Sequence, residues 1–341
     1  MSEVIITAMI VVRNEENYIK TSLESLLNQD FDKDKYEIII VDGISTDNTK
    51  EKINEVLKEY ENNKTAKVTI LENEKKILAS GWNLGIKEAK GKYVIRIDAH
   101  AKASNNFISK SLETIEKLPE DVGTVGGRLT SVSLKGGNEI IEKVLSSPFG
   151  IGNSKFRYSN EAGYVDTVAF GLYKKEIFNK VGYFDETLER NQDNNMHNRI
   201  RQAGYKFYYN PEIKSEYYVR NSLKKMMKQG YLNGKWNIIV FRQDKKTLSV
   251  RHLVPLVFVL SIIVLSLLGI IHKIFLYGLC MELILYFCMG LVFAFKKTKN
   301  ILNIFKMQLY FFLLHISYGT GSLLSILNKR RKVSWTYTKN W

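Results

Sequence analysis

The first hundred residues alternate between short apolar runs and segments whose apolar residues recur at helical spacing. Each short run is continuous rather than alternating, which is typical of a strand covered on both faces. Strands joined by helices form a parallel sheet with right-handed crossovers, so this part of the chain predicts an α/β fold. The predicted strands are Val4–Val12, Tyr36–Val41, Lys67–Leu71 and Tyr93–Asp98; the predicted helices are Glu15–Asn28, Thr46–Tyr60 and Ile77–Lys90.

The region 121–213 is less regular, and it adds single elements rather than a repeat. Val165–Tyr173 and Lys206–Tyr209 are predicted strands, and Gln192–Ala203 is a predicted helix that ends at Gly204. We therefore expect one domain over residues 1–213, with a mostly parallel sheet flanked by helices.

The net charge of the chain is +15, and it is distributed unevenly. Residues from Lys214 onward carry +17, whereas residues 1–213 carry −2. The basic part is also the apolar part, a combination that favours anionic lipid head groups as its partner. A nucleic-acid partner is not expected, because the first 213 residues lack a basic excess.

Three long apolar runs near the C-terminus approach the ~20 residues needed to span a bilayer; they are 253–271, 274–295 and 307–327. They predict a membrane domain over 253–327, preceded by a basic amphipathic interfacial segment over 214–252 and followed by a basic tail over 328–341. A third span would place Lys329–Lys332 outside, against the positive-inside tendency, so two and three spans both stay open. No signal peptide is visible, and we expect a multi-pass protein of the cell membrane whose first domain is cytoplasmic.

Two of the predicted strands end in polar residues. Asp42 follows one strand, and Asp98 and His100 lie at the end of another. In open α/β sheets, ligands bind at the carboxyl ends of the strands. Asp98 and His100 can share one divalent cation, which would neutralise a diphosphate leaving group. The Asp42 carboxylate can accept a hydrogen bond from a base or a ribose, or it can simply order its turn.

These motifs, together with Val11-Val12-Arg13-Asn14-Glu15-Glu16, resemble the N-terminal half of family 2 glycosyltransferases, which have the GT-A fold. The Arg-Ile-Asp-Ala-His form of residues 96–100 and the later Arg251-His252-Leu253-Val254-Pro255 resemble the succinoglycan-type exopolysaccharide glucosyltransferases. The resemblance covers about residues 4–255. Its motifs are specific in combination and weak singly.

The resemblance implies a set of residues that bind a nucleotide-sugar donor. Asp42 would contact the uracil or the ribose, and one of Glu15 and Glu16 would lie near the ribose. Asn83 belongs to the Gly-Trp-Asn-Leu-Gly motif between the nucleotide-contacting strands, and Asp98 would lie near the sugar or the metal.

The resemblance also implies a metal. Asp98 and His100 stand where the family usually has Asp-x-Asp, and they would hold Mn²⁺ or Mg²⁺ on the diphosphate. A histidine in place of an aspartate adds a softer nitrogen ligand, which mildly favours Mn²⁺. The alternative is that His100 supports the ligands by a hydrogen bond.

Gln192-Asp193 occupies the position of the family's Glu-Asp motif at the start of a helix. The resemblance makes Asp193 the general base that removes a proton from the acceptor hydroxyl. The alternative is that Asp193 only caps the helix.

The expected activity is that of an inverting, membrane-attached glycosyltransferase. It would move a hexose, with UDP-glucose as the expected donor, to a polyprenyl-linked saccharide. A processive polysaccharide synthase is the alternative enzyme, although Gln229 and Lys235-Trp236 depart from the Gln-x-x-Arg-Trp motif of such synthases. A non-catalytic nucleotide-sugar-binding scaffold is the alternative of another class, and it would have no use for a base.

Overall fold

The structure is a computed structural model, and it describes residues 3–133, 137–152, 154–219, 222–245 and 250–328. The chain forms two compact units. The first contains the residues up to Thr130 together with Lys155–Tyr218, and the second contains Ser131–Ser154 together with the chain from Val219. The predicted division at residue 213 differs from this one, because a strand runs on to Tyr218.

The first unit is built on a mixed sheet of nine strands, in the order β3-β2-β1-β4-β8-β6-β9-β5, with β7 paired to β9. The four strands from β3 to β4 are parallel, whereas β8 is antiparallel to both β4 and β6. The strands are β1 Ile6–Val12, β2 Tyr36–Asp42, β3 Lys67–Glu72, β4 Tyr93–Asp98, β5 Ala101–Ala103, β6 Val122–Val132, β7 Gly163–Val165, β8 Leu172–Lys174 and β9 Lys206–Tyr218.

Two apolar cores lie on the opposite faces of this sheet. One packs under α1 Ile19–Leu27, α2 Thr49–Glu59 and α4 Phe107–Glu116, and the other under α3 Leu78–Glu88, α7 Glu176–Val181 and α8 Gln192–Gln202. Helix α3 approaches β1 closely, because a Cβ on Gly81 would stand 2.5 Å from Val11 Cγ1. These helices cover both faces, as parallel strands require.

The parallel half of the sheet confirms the predicted α/β fold, while two elements further along differ. The strand predicted over Val165–Tyr173 is two short strands, β7 and β8, with an irregular segment between them. The strand predicted over Lys206–Tyr209 is the 13-residue β9. Its residues 215–217 pair with the short edge strand β5, a partner that local sequence does not reveal.

The second unit is helical. Its helices are α5 Glu139–Leu145, α6 Pro148–Ile151, α9 Leu223–Gln243, α10 Val250–Ile271, α11 Ile274–Phe295 and α12 Ile301–Leu327. Three of them are long and apolar enough to cross a membrane, namely His252–Ile271, Ile274–Phe295 and Ile301–Leu327. The third is continuous through Gly319 and Gly321 and begins six residues before the predicted run at 307.

Helix α9 packs directly against α12. A Cβ on Gly234 of α9 would collide with the Tyr318 carbonyl of α12, and a Cβ on Gly321 of α12 would collide with the Tyr231 carbonyl of α9. Small residues at such positions let two helix backbones come close. The basic amphipathic segment predicted over 214–252 contains the end of β9, helix α9 and the start of α10, and its residues 220–221 and 246–249 lie outside the described residues. The basic tail lies outside the described residues, except for Asn328.

Candidate functional site

The carboxyl ends of the parallel strands meet at one edge of the sheet. Val12 of β1 pairs with Asp42 of β2, Asp42 pairs with Glu72 of β3, and Val11 pairs with Asp98 of β4. A cleft with about 550 Å³ of empty space, open to solvent, lies at this edge. Its walls are formed by Val11, Val12, Arg13, Glu15, Gly43, Asn73, Lys76, Ile77, Leu78, Asp98, Ala99 and His100. The sheet edge predicted to bind a ligand is therefore concave.

Three residues with positive φ lie in the loops at this edge: Asn14 at 55°, Ile44 at 56° and Lys76 at 56°. For a β-branched residue such as Ile44, the left-handed region is a genuine outlier. Such strain persists only where the surroundings over-determine the backbone, and it is concentrated at ligand-binding sites.

His100 and Glu15 contact each other in the cleft, with Nδ1 3.3 Å from Oε1. Burial by itself would lower the pKa of His100, but Tyr217, the bond to Glu15 and the charge of Asp98 together raise that pKa to about 10. The ring also meets Tyr217 edge-on, with centroids 4.8 Å apart. The imidazole is thus fixed by a carboxylate on one side and an aromatic ring on the other.

Glu16 and Asp42 are used inside the loops rather than on the cleft wall. The Glu16 carboxylate accepts from the Asn48 amide at 3.1 Å. Asp42 is 1% exposed and accepts from the Ser45 amide at 3.1 Å and the Ser45 hydroxyl at 2.5 Å. Of the two glutamates, Glu15 is the one that lines the cleft. Donor binding by Asp42 stays a prediction. Its bonds to Ser45 fit the turn-ordering alternative, and its Oδ2 also lies 3.5 Å from Nζ of Lys50 on α2.

Asn83 lies outside the cleft. Its Nδ2 donates to the Phe184 carbonyl and to Glu186 Oε1, both at 2.9 Å, and its Oδ1 accepts from the Phe184 amide at 2.8 Å. With its amide engaged in this way, Asn83 fixes the loop that carries Phe184. That Asn83 contacts the donor stays a prediction, and its present contacts are with Phe184 and Glu186.

Asp193 is the second residue of α8, and its side chain is 45% exposed. Its Oδ1 accepts from the Asn194 amide at 2.9 Å, and its Oδ2 lies 3.8 Å from Nη2 of Arg96. The residue before this helix, Asn191, has a φ of 59°. An exposed carboxylate beside a fixed cation can act as a proton acceptor.

Asp98 and His100 offer two side chains that could hold a divalent cation, and phosphate oxygens would have to complete its ligands. In the part of the chain that the structure describes, no three His, Cys, Asp or Glu side chains converge to hold a metal by themselves. The contact between His100 Nδ1 and Glu15 leaves the other ring nitrogen, Nε2, for a metal, which is the carboxylate–histidine–metal arrangement common in proteins. A metal there would displace a proton from the imidazole.

Several residues of this region have no role that the sequence predicted. Arg13, Asn73 and Lys76 line the cleft, and Arg96 reaches Asp193. Asn73 could have been found, because it directly follows β3 at the edge where Asp42 ends β2. Lys76 could not have been found from the sequence, because it lies in the loop after β3 and has a φ of 56° that its residue type does not predict.

Residues 7–182 match the family described as Glycosyl transferase family 2. A dolichyl N-acetyl-α-D-glucosaminyl phosphate 3-β-D-2,3-diacetamido-2,3-dideoxy-β-D-glucuronosyltransferase of Methanococcus voltae is 32% identical over 92% of this chain and 95% of its own length. The succinoglycan biosynthesis protein ExoA of Rhizobium meliloti is 25% identical over 71% of this chain and 72% of its own.

Among solved structures, the mannosyltransferase PcManGT of Pyrobaculum calidifontis, determined with GDP-Man and Mn²⁺, matches with a TM-score of 0.59 and 15% identity. The match covers 92% of this chain and 86% of that one, and at this identity it concerns the fold alone. The family match and the sheet with its flanking helices lead to one conclusion: the chain belongs to glycosyl transferase family 2, and it is a glycosyltransferase with a GT-A-like domain and three apolar C-terminal helices.

Proposed function

We propose that this protein is an inverting glycosyltransferase that moves a sugar from a nucleotide diphosphate to a lipid-linked saccharide at a membrane. The observation that carries the proposal is the cleft at the strand ends, where Glu15, Asp98 and His100 meet. The family match supports a glycosyltransferase without reference to these residues, whereas the role of each residue is argued from geometry and chemistry.

The nucleotide diphosphate would bind in the cleft. Lys76 and Arg13 supply positive charge to its wall, and Asp98 with His100 would hold Mn²⁺ or Mg²⁺. When bound, the metal neutralises the charge of the diphosphate leaving group. Glu15 is the glutamate we assign to donor binding, through its hold on His100. Asp42 orders the neighbouring loop between β2 and α2, because its carboxylate accepts hydrogen bonds from the amide and the hydroxyl of Ser45.

Asp193 would take the proton from the acceptor hydroxyl as that oxygen attacks the sugar carbon. An inverting transfer needs one base on the side opposite the leaving group. The carboxylate is exposed enough to meet an acceptor, and its Oδ1 is held by the Asn194 amide.

The acceptor is proposed to be a polyprenyl-linked saccharide. The Methanococcus voltae relative acts, by its name, on a dolichyl N-acetylglucosaminyl phosphate, and three helices of this chain are suited to a bilayer. That relative transfers a diacetamido-glucuronosyl group, so the expected glucose is one candidate among nucleotide-linked hexoses. A processive synthase finds no added support, because Gln229 and Trp236 lie on the packed helix α9.

The test is a transfer assay on the full chain in detergent, with a panel of UDP- and GDP-linked sugars and a short polyprenyl phosphate saccharide. Released nucleotide diphosphate and glycosylated lipid are both measured. Asp193→Asn should lower transfer by about 10²–10⁴-fold, the usual worth of a general base, with nucleotide-sugar binding unchanged. Asp185→Asn is the matched control, because the Asp185 carboxylate is engaged by Thr187.

Each result has one meaning. Donor binding without any transfer, across the whole panel, would favour the scaffold alternative and overturn the proposal. Transfer that survives in Asp193→Asn but fails in Asp185→Asn would move the base to Asp185. Long polymeric products would favour the processive synthase.

We also propose that the first unit faces the cytoplasm and that α10 spans the membrane. The test replaces Cys280 and Cys288 by serine and introduces Glu51→Cys on the exposed side of α2. A membrane-impermeant thiol reagent should label this cysteine only after the cells are opened. Labelling on intact cells would reverse the orientation.

A further inference from the structure

Arg96 is a buried cation on the strand that carries Asp98. It is 9% exposed, and it lies two residues before Asp98 on β4, so both side chains project from the same face of the sheet. That face is the one covered by α3 and α8. A buried arginine is costly unless charges and aromatic rings compensate for its lost hydration. The groups that surround Arg96 therefore show how its buried charge is compensated.

Two aromatic rings enclose the guanidinium of Arg96. Its Cζ lies 5.3 Å from the ring centre of Trp82 and 5.7 Å from that of Phe184, both within the range of cation–π attraction. Trp82 comes from α3, and the Phe184 backbone is clamped by Asn83 of the same helix. The Gly-Trp-Asn-Leu-Gly motif thus builds the walls around Arg96.

The guanidinium is directed toward the carboxylate of Asp193. Nη2 lies 3.8 Å from Oδ2 of Asp193, within ion-pair range but beyond a hydrogen bond, while the buried Nε has no partner among the described residues. Burial acts to lower the pKa of Arg96, but Tyr173, Asp193 and Asp98 raise it above its ordinary value. The arginine therefore stays charged.

Two titratable groups that act electrostatically with Asp193, His197 and Tyr173, are neutral. His197, one turn further along α8, is buried, and burial lowers its pKa to about 3, so it is neutral. Burial raises the pKa of Tyr173 on β8 to about 12, so it is also neutral. Asp98 acts as an anion near Arg96, and Arg96 and Arg201 both act as cations near His197.

We propose that Arg96 is a positioning residue that holds the Asp193 carboxylate in place, and so links β4, the strand that carries Asp98, to the base that acts on the acceptor. This rests on the proposed function, because it takes Asp193 as the base. The long contact is expected to shorten in the complex with substrates, as catalytic contacts often do. The role is also a new one for the glycine-tryptophan-asparagine motif of α3, which would support the base through Arg96.

The test compares Arg96→Met with Arg96→Lys in the full chain in detergent. Methionine fills the aromatic enclosure without a charge, and replacing a buried ion by an apolar group is often neutral for stability. We expect kcat to fall by about 10–100-fold in Arg96→Met, the order of loss that a misplaced group causes, with KM for the nucleotide sugar unchanged. Arg96→Lys should have a higher kcat than Arg96→Met but a lower one than the wild type, because lysine restores the positive charge without the planar guanidinium group.

A double-mutant cycle separates positioning from mere structure. Arg96→Met should cost nothing further in kcat in the Asp193→Asn background. Arg199→Lys is the control: Arg199 anchors the Val181 and Tyr183 carbonyls from α8, so any loss of kcat that its replacement causes should add to that of Asp193→Asn.

Additive losses in the cycle would overturn the proposal, and they would make Arg96 a contact of the donor sugar or of another group. A wild-type kcat in folded Arg96→Met would overturn it as well. If Asp193→Asn is fully active while Arg96→Met is slow, the proposed base fails and this inference fails with it. If Asp193→Asn is slow and Arg96→Met is fast, only this inference fails.

Discussion

The Glu15 carboxylate joins the loop after β1 to the end of β4, because its Oε1 contacts Nδ1 of His100 at 3.3 Å. The two residues are 85 positions apart in the chain and share the wall of one cleft. The neighbouring Glu16 binds the Asn48 amide instead. Two adjacent glutamates therefore have separate tasks, and they form a matched pair for mutation.

Glu15→Gln should weaken Mn²⁺-dependent donor binding, because a neutral amide no longer orients and polarises the His100 imidazole; loss of such a supporting carboxylate costs about 10–100-fold in metal affinity or activity. Glu16→Gln should change binding little, since its partner is a backbone amide in the β2–α2 loop. Isothermal titration with the nucleotide diphosphate, with and without Mn²⁺, measures both. Equal effects in the two variants would contradict the division of tasks.

Removal of the metal should abolish transfer, and Mn²⁺ should restore it. Asp98→Ala should lose orders of magnitude in rate, because the charge on the diphosphate would go uncompensated. His100→Asp should keep appreciable activity, with a shift toward Mg²⁺, since an oxygen ligand replaces nitrogen. The measurement is the rate of nucleotide release after EDTA and stepwise return of each cation. Full activity in chelator would rule out a metal at this position.

Gly81→Ala should destabilise the first unit more than Gly85→Ala. The new Cβ at 81 would stand 2.5 Å from Cγ1 of Val11 on a buried strand, whereas the one at 85 would stand 2.8 Å from Sδ of the flexible Met9. Overpacking of this kind costs about 1–3 kcal/mol. The helix propensity of alanine offsets about 1 kcal/mol at both positions, because both lie in α3, so the difference comes from the two contacts. Thermal unfolding in detergent compares the two, and the reverse order would mean that α3 can move away from β1.

His197 should make the first unit less stable as the pH falls below about 6.5. Its Nδ1 lies 2.7 Å from the Thr167 hydroxyl and its Nε2 lies 2.7 Å from the Tyr173 hydroxyl. Burial lowers its pKa to about 3, so the unfolded chain binds a proton there before the folded one does. The stability that His197 contributes is thus complete above about pH 6.5 and lost progressively toward pH 3, at about 1.4 kcal/mol per pH unit.

His197→Gln keeps a hydrogen-bonding side chain without the titration, so the loss of thermal stability between pH 7 and pH 5 should be smaller in this variant. His272→Gln, at an exposed turn between two apolar helices, is the control and should leave the slope unchanged. Parallel slopes in wild type and His197→Gln would show that other groups govern the acid limb.

The parallel half of the fold could be predicted because each element has its own local pattern. Continuous apolar runs mark β1, β2 and β4, and Tyr93–Asp98 agrees to the residue. The antiparallel half could not, because β7, β8 and the end of β9 depend on partners distant in the chain. Their sequences differ little from those of loops, so pairing rather than propensity decides them.

In the candidate site, too, local sequence predicted some residues, whereas others depend on contacts distant in the chain. Asp98 and His100 were recognisable because they directly end a strand, and the resemblance gave Asp193 its expected role. Arg96 was not, because a charged residue inside a strand pattern gives no sign of the aromatic enclosure that buries it. Asn83 was assigned to the donor from its motif, whereas its contacts run to Phe184, 101 residues away.

The reciprocal glycines of α9 and α12 set a limit on how this protein can be shortened. The backbone of each helix contacts a glycine of the other, so α9 and α12 pack as a pair and α9 is not a separate membrane-binding segment. A chain cut after Ser249 would keep the 21 residues of α9 and lose α12, the helix against which α9 packs. Such a fragment would expose this face of α9 and would need detergent or would pair with a second copy of itself. A fragment that ends at Tyr218 would still carry α5 and α6, which would lack their contacts with α12.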